Sequence, residues 1–342
     1  MNSTSKILLI ILIFFSVKVW SQNNYEKKYV TVTPGAEYKA GWFHSWIFGK
    51  HWRDIWTTPV KVEVLDLEKF AGGLTPIKKG GGKQTKSLKF QGADGRVWKF
   101  RSVDKDPAKV LPEDLRDSFA EDILQDQISS SNPVAPLIVA PILDAVGVLE
   151  AKPYLVYMPD DERLGEFRKE FAGVLGMIEL HPNEYEDYHK SFGGALEVKG
   201  TYGMFNDIEK KRSHKVDAGE FLKARLIDIF VNDWDRHTDQ WRWAEYERGD
   251  DKVWLPIPRD RDQAFSKFDG LLPYAAALQI HQLNNFDYGY PSIKDITWNG
   301  RPLDWRILPV LDKQTWDSVT TFVFNRLTDD VIHDAVKHLP PE

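Results

Sequence analysis

The sequence predicts an α+β fold in two lobes, and three stretches carry that prediction. Ser87 to Phe90 and Val97 to Val103 alternate apolar and polar residues on either side of Gly92-Ala93-Asp94-Gly95, the pattern of a β-hairpin with one buried face. Phe221, Leu222, Ala224, Leu226, Ile227, Ile229 and Phe230 make a buried helix behind Asp217-Ala218-Gly219-Glu220, a capping-box start. Trp241-Arg242-Trp243 and Val253 to Ile257 flank a charged turn, Arg248 to Lys252, and so form a second hairpin. The first hairpin belongs to a small lobe over residues 41–160, and the helix and second hairpin to a large lobe over 161–342.

At the front of the chain, Lys6 precedes an apolar run from Ile7 to Val17, and Ser21-Gln22 offers a small-residue cleavage point. Residues 1–21 therefore read as a secretory signal peptide, with an uncleaved anchor as the alternative. Lys18 leaves the run shorter than the ~20 apolar residues of a spanning helix, which favours cleavage. The expected address is outside the cytoplasm, in the periplasm or cell envelope. Among 342 residues there is no cysteine, which excludes disulfides, thiolate nucleophiles, Cys-ligated zinc and lipid anchoring through an N-terminal Cys. The mature chain must hold itself together by its core, and its length suffices for that. A net charge of -6 argues against a nucleic-acid partner.

Residues 22–40 are polar and mixed and read as an N-terminal arm before the fold. Of thirteen tryptophans, Trp42, Trp46, Trp52 and Trp56 fall in one short segment, where packing against the body of the domain is expected and a carbohydrate or peptide platform is the alternative. Gly72-Gly73, Pro76 and Gly80-Gly81-Gly82 make a turn-rich run that leads into Lys83-Gln84-Thr85-Lys86-Ser87. After the first hairpin, Leu115, Phe119, Ile123 and Ile128 recur at helical spacing behind Pro112-Glu113-Asp114. A second apolar helix covers Pro133 to Val146 and stops at Gly147; Tyr154 to Met158 is a strand; and a further helix is expected near Phe167 to Leu180.

The capped helix then delivers the chain into Asp233-Trp234-Asp235-Arg236-His237, with Gln240 close behind. Phosphoryl transfer needs basic groups and backbone amides on phosphates, divalent ions on hard oxygen ligands, and a carboxylate to orient the incoming hydroxyl. Each has a candidate here. Gly80, Gly81, Gly82, Gln84 and Lys86 make a glycine-rich phosphate loop, and Arg101 or Lys99 on the following strand supplies a cation. Asp235 is the catalytic carboxylate, with His237 buttressing the loop by hydrogen bonding. Gln240 and either Asp260 or Asp262 are metal ligands, since a hairpin returns its far end beside the loop that opened it. An ion-pair network locking two loops would account for the same charges.

Leu226 to Trp243 followed by Trp254 to Phe265 resembles the catalytic and metal-binding loops of atypical kinase-like folds: phosphoinositide lipid kinases, secretory-pathway kinases, HipA-type and spore-coat CotH-type kinases. Gly81 to Ser87 resembles the glycine-rich Gln-x-Lys loop of HipA-type proteins, and Pro258 to Asp262 is similar to the Pro-Trp-Asp-x-Asp of CotH-type ones. Nearly the whole mature chain, through Phe100 to Pro107 and Asp233 to His237, resembles a kinase-like region of large exported bacterial envelope proteins that can also carry metallophosphoesterase and outer-membrane barrel domains. The resemblance implies a two-lobed atypical protein-kinase-like fold and a phosphotransferase using ATP or another nucleotide with Mg²⁺ or Mn²⁺. The acceptor would be a protein, glycan or lipid, and an envelope or outer-membrane protein is a possible partner. Gln240 stands where Asn is usual and Arg101 where Lys is usual, with Glu121 and Asp126 as candidate partners for Arg101. A catalytically inactive binding module is therefore the alternative, and a metal-dependent phosphoesterase built from Asp233, Asp235, His237, Asp260 and Asp262 the second.

Overall fold

Alternation sorts two sheets into two large cores and one smaller one. The computed structural model describes residues 27–339 apart from 81–83, 108–110, 112–115, 117, 188, 281 and 291. The expected signal peptide, Gly81, Gly82, Lys83 and the Pro112 to Leu115 helix start lie outside the described residues. The first sheet joins β1 (Tyr29–Val32), β2 (Val60–Val64), β3 (Leu74–Lys79), β4 (Thr85–Gly92), β5 (Val97–Lys105), β6 (Tyr154–Tyr157) and β7 (Leu175–Leu180) in the order β1-β2-β6-β7-β5-β4-β3. The second joins β8 (Glu197–Gly200), β9 (His214–Val216), β10 (Trp241–Arg248) and β11 (Asp251–Pro258) in the order β8-β10-β11-β9. The helices that matter here are α1 (Trp42–Phe48), α2 (Arg53–Thr57), α3 (Phe119–Gln127), α4 (Ala135–Ala145), α5 (Arg168–Phe171), α6 (Thr201–Lys210), α7 (Ala218–Phe230) and α8 (Leu271–Ala277). Shorter helices and two longer ones, Lys313–Arg326 and Asp329–Val336, close the chain.

On β4 and β5, Leu88, Phe90 and Phe100 are wholly buried on one face, against Leu74, Phe171 and Ile178. Their alternates Lys89, Lys99 and Arg101 take the other face, so the period of two builds a core on one side of the sheet and leaves cations on the other. The second core gathers α4, α7 and the tryptophans of the second sheet: Phe221 lies 5.1 Å from Trp241 and 5.7 Å from Trp243. Fully burying a side chain of this kind stabilises by about 1.5–3 kcal/mol. Helix α4 precedes β6 in sequence yet packs into the second core, so the chain crosses between the two units and back.

Four expectations need correction. The polar arm is part of the fold: β1 pairs antiparallel with β2, and Tyr38 is buried against Trp56 with its hydroxyl donating to Asp104 at 2.6 Å. Of the helix expected near Phe167 to Leu180 only α5 forms; Gly173 at φ +76° breaks it, and Leu175–Leu180 pairs between β5 and β6 as β7. The lobe boundary at 160/161 thus falls between two hydrogen-bonded strands, and the first sheet carries its unit through residue 180. Trp56 is buried and its indole donates to Ser131 O, but Trp42 and Trp46 are 82% and 59% exposed, because α1 lies on the surface.

Candidate active site

Two local devices aim the central loop. Asp217 starts α7 by accepting from the Glu220 amide at 3.0 Å. The helix ends in a Schellman motif: Asn232 N donates to Ile229 O at 3.0 Å and Asp233 N to Asp228 O at 2.8 Å. That motif needs a left-handed residue, supplied by Asn232 at φ +53°, whose side-chain amide also donates to Asn284 O at 2.9 Å.

The expected ion-pair network exists, built from residues other than the exposed carboxylates. Asp228 is wholly buried among Arg225 at 2.6 Å, Arg236 at 3.4 Å and Arg261. Burial would raise its carboxyl, but the three guanidinium groups hold it below the usual range. Asp233, wholly buried with Arg261 at 3.2 Å and Arg236 at 3.6 Å, is pushed up to about 6, chiefly by burial. Arg236, itself without solvent exposure, lies 4.7 Å over the Trp241 ring and donates to Arg259 O at 2.6 Å and Gln240 O at 3.4 Å. This buried cation thereby joins the loop after α7 to the segment after β11. Asp233 is consumed in that task, which removes one of the carboxylates a phosphoesterase reading needs.

What the network leaves open is Asp235 and the end of β11. Asp235 is about a quarter exposed, with Gln240 Nε2 at 3.3 Å and Asn299 Nδ2 at 3.5 Å on its oxygens and His237 Nε2 3.8 Å away. His237 accepts from the Asp239 amide through Nδ1 at 3.2 Å, capping the turn Thr238–Gln240 as a buttress would. Asp260, left-handed at φ +54°, is paired with Arg101, and Asp262 with Lys105 at 2.5 Å. Burial would raise the Asp262 carboxyl, but Lys105 more than offsets it and holds it low. Arg101 also donates to Glu179 on β7 at 3.1 Å.

These residues edge a cleft between the sheets with a cavity volume of about 90 Å³, lined by Thr85, Arg101 and Lys105 from the first sheet, Asn132, Pro136 and Glu150 around α4, and Arg259 to Asp262. That is smaller than the roughly 300–1,000 Å³ of a typical small-molecule pocket, so a ligand of nucleotide size needs the ion pairs across the cleft to part. Asp235 and Gln240 adjoin it, since Arg259 N donates to Gln240 O at 2.9 Å. Of the glycine-loop candidates, Gly80, Gln84 and Lys86 do not line the cleft. Gly80 N donates to Ser87 O, Gln84 O accepts from Asp106 N, and Lys86 sits in the bulge of β4 with its amide on Ser102 Oγ.

For a divalent ion the donor types suit: Gln240 Oε1 is buried without a hydrogen-bond partner, and Asp260 and Asp262 supply further hard oxygens. Among the described residues no group of three or more His, Asp or Glu is gathered to hold a metal. Arg101 and Lys105 neutralise both carboxylates. Sequence reasoning missed Lys105, Glu179 and Glu150. Lys105 was available from the β5 alternation Lys99, Arg101, Val103, Lys105. Glu179 was hidden by the helix assigned to β7, so the partner of Arg101 is neither Glu121 nor Asp126, the latter being held by Arg53 at 2.7 Å and His44 at 2.9 Å. Glu150 sits in irregular chain; burial, with Asp144 adding, pushes it up to about 8, and its Oε1 has no partner.

No family model matches this chain, and no curated protein does. Among solved structures it is similar to a Helicobacter pylori proinflammatory kinase, CtkA, at 10% identity and TM-score 0.33, over 75% of this chain and 84% of that one. It is also similar to a Golgi casein kinase at 10% identity and TM-score 0.32, over 98% of this chain and 91% of that one. Likenesses of that size assign no activity; the chain is a mixed α+β molecule of two sheets with a charged cleft between them.

Proposed function

We propose that this chain is an exported kinase-like phosphotransferase that takes a nucleotide, ATP or a relative, with Mg²⁺ or Mn²⁺ in the cleft between its sheets. One observation carries the reading: the end of β11 presents Asp260 and Asp262 directly to the β5 cations Arg101 and Lys105, beside the loop that holds Asp235 and Gln240. Strand cations facing two carboxylates, one loop away from a positioned carboxylate and carboxamide, are the parts that phosphoryl transfer uses. In this reading Gln240, Asp260 and Asp262 hold the ion, which would offset the charge of the phosphates. Arg101 and Lys105 exchange a carboxylate contact for a phosphate oxygen. Asp235 orients the acceptor hydroxyl: its oxygen forms the new bond to the terminal phosphorus, the bond to the leaving diphosphate breaks, and the hydroxyl proton passes to Asp235.

Export rests on the Lys6 to Gln22 pattern, and the acceptor, whether protein, glycan or lipid, is open. A non-catalytic envelope module is the second reading, favoured by the pairing of both carboxylates with cations. Incubation of purified mature protein with terminally labelled nucleotide, Mg²⁺ or Mn²⁺ and candidate acceptors separates the two. Label transfer or nucleotide turnover that Asp235→Asn abolishes in a folded protein supports phosphotransfer, whereas binding without turnover in wild type supports the module.

A further inference from the structure

The face of the first sheet opposite its core carries more positive charge than folding can favour by itself. Lys78 on β3, Lys89 on β4 and Lys99 on β5 stand in direct cross-strand register, with Glu179 on β7 next in the row. Directly opposed side chains lie about 4.5–5.5 Å apart at Cβ, and like charges so placed repel. Lys89 Nζ is 2.9 Å from Nε2 of His181, whose backbone amide donates to Val97 O beside β5. Arg242 on β10 and Arg259 after β11 bring the second sheet's charge to the same place; with burial, their fields push Lys89 down and His181 down to about 3. Lys99 falls to about 7, first through burial and then through Arg101 and Arg259. The nearby acid Glu179 is already bound to Arg101.

The unused donors point the same way. With the Lys89 ammonium donating to Nε2, the neutral ring of His181 carries its proton on Nδ1, and that atom is buried with no partner, in a side chain more than nine-tenths buried. Nε of Arg242 and Nε of Arg259 are likewise buried and unpartnered. Buried donors are ordinarily satisfied, and a lysine row is ordinarily interleaved with acids. A multiply charged oxyanion answers both needs at once, since its oxygens accept from guanidinium forks and imidazole N–H while its charge offsets the row.

We propose that the surface formed by Lys78, Lys89, Lys99, His181, Arg242 and Arg259 is a binding site for a ligand bearing two or more phosphate groups. The site does not require that phosphoryl transfer occur, since a non-catalytic module would use the same face. Two sources share this chemistry: the phosphate chain of the nucleotide itself, and a separate acceptor that is already phosphorylated.

The test is calorimetric titration of the mature protein with inorganic tripolyphosphate in EDTA, with orthophosphate and sodium chloride at matched ionic strength as controls. Metal-free conditions keep its outcome independent of the carboxylates at the end of β11. Saturable tripolyphosphate binding is expected, weakened about tenfold or more by Lys99→Gln and by Lys89→Gln. Free Lys99→Gln protein should melt no lower than wild type, because it sheds like-charge repulsion; a merely structural lysine would not combine intact stability with lost binding. Displacement of tripolyphosphate by ATP would assign the face to the nucleotide's phosphates, and simultaneous binding to a phosphorylated acceptor. No binding at millimolar tripolyphosphate, an equal response to orthophosphate or chloride, or unaltered affinity in both lysine variants would overturn the proposal.

Discussion

Asp228 and Asp235 differ in what surrounds them more than in position. Asp228 has no exposure and three arginines around it, so its work is structural. Asp228→Asn leaves buried guanidinium charge uncompensated and should cost about 3–5 kcal/mol in denaturant unfolding. Asp235→Asn removes a carboxylate about a quarter exposed with loose contacts and should change stability by less than about 1 kcal/mol while abolishing the transfer proposed above. Glu150 gives a pH-dependent readout. Its folded carboxyl titrates near 8 and its ordinary value is 4.5, so between those values the unfolded chain loses a proton that the folded one keeps. Stability from this group falls as pH rises through that window, and the cost is complete above about 8. Glu150→Gln should therefore be more stable than wild type at pH 8–9 by roughly 2–4 kcal/mol, and equal to it near pH 4, in melts across the range. At this scale chain order made legible only the nearness of Asp235 to Gln240, and of Asp260 and Asp262 to the strand cations; their roles belong to the proposal above. It hid Lys105, Glu179 and Glu150, whose roles depend on what the fold brings opposite them.

Elements were legible where period and punctuation agree. The hairpin of β4 and β5 has strict alternation and a glycine-bearing turn, and α7 has the capping-box start at Asp217; both stand as read. Leu175-Gly-Met-Ile-Glu-Leu is short and apolar enough for either helix or strand, and pairing between β5 and β6 decides it. Strand β1 was illegible because its exposed face looks like a solvated arm until β2 is beside it. Glycines at one junction carry a test of element packing. Gly49 at φ +111° ends α1 and Gly270 at φ +101° starts α8; a Cβ on Gly270 would stand 2.4 Å from Gly49 N and 2.7 Å from its Cα. Gly270→Ala should cost about 1–3 kcal/mol through strained backbone and a forced separation. Hydrogen exchange should show the loss of protection concentrated in α1 and α8.

Among the described residues, two large hydrophobic cores face each other over a cleft; Leu180 of β7 also packs on a smaller cluster under the second sheet, and the ion pairs Asp260 to Arg101 and Asp262 to Lys105 cross the cleft itself. The sequence showed two lobes but misplaced their boundary, because α4 returns to the second core before β6 and β7 complete the first sheet. The most direct test of a metal-nucleotide site there is thermal unfolding of the mature protein with ATP or GTP, each with and without Mg²⁺ or Mn²⁺, in wild type and in Asp260→Asn. A specific ligand at about a hundred times its Kd should add ~2.7 kcal/mol of stability. The predicted result is a nucleotide shift that requires the metal in wild type and vanishes in Asp260→Asn; no shift with any nucleotide, or one indifferent to metal and to that substitution, would contradict it.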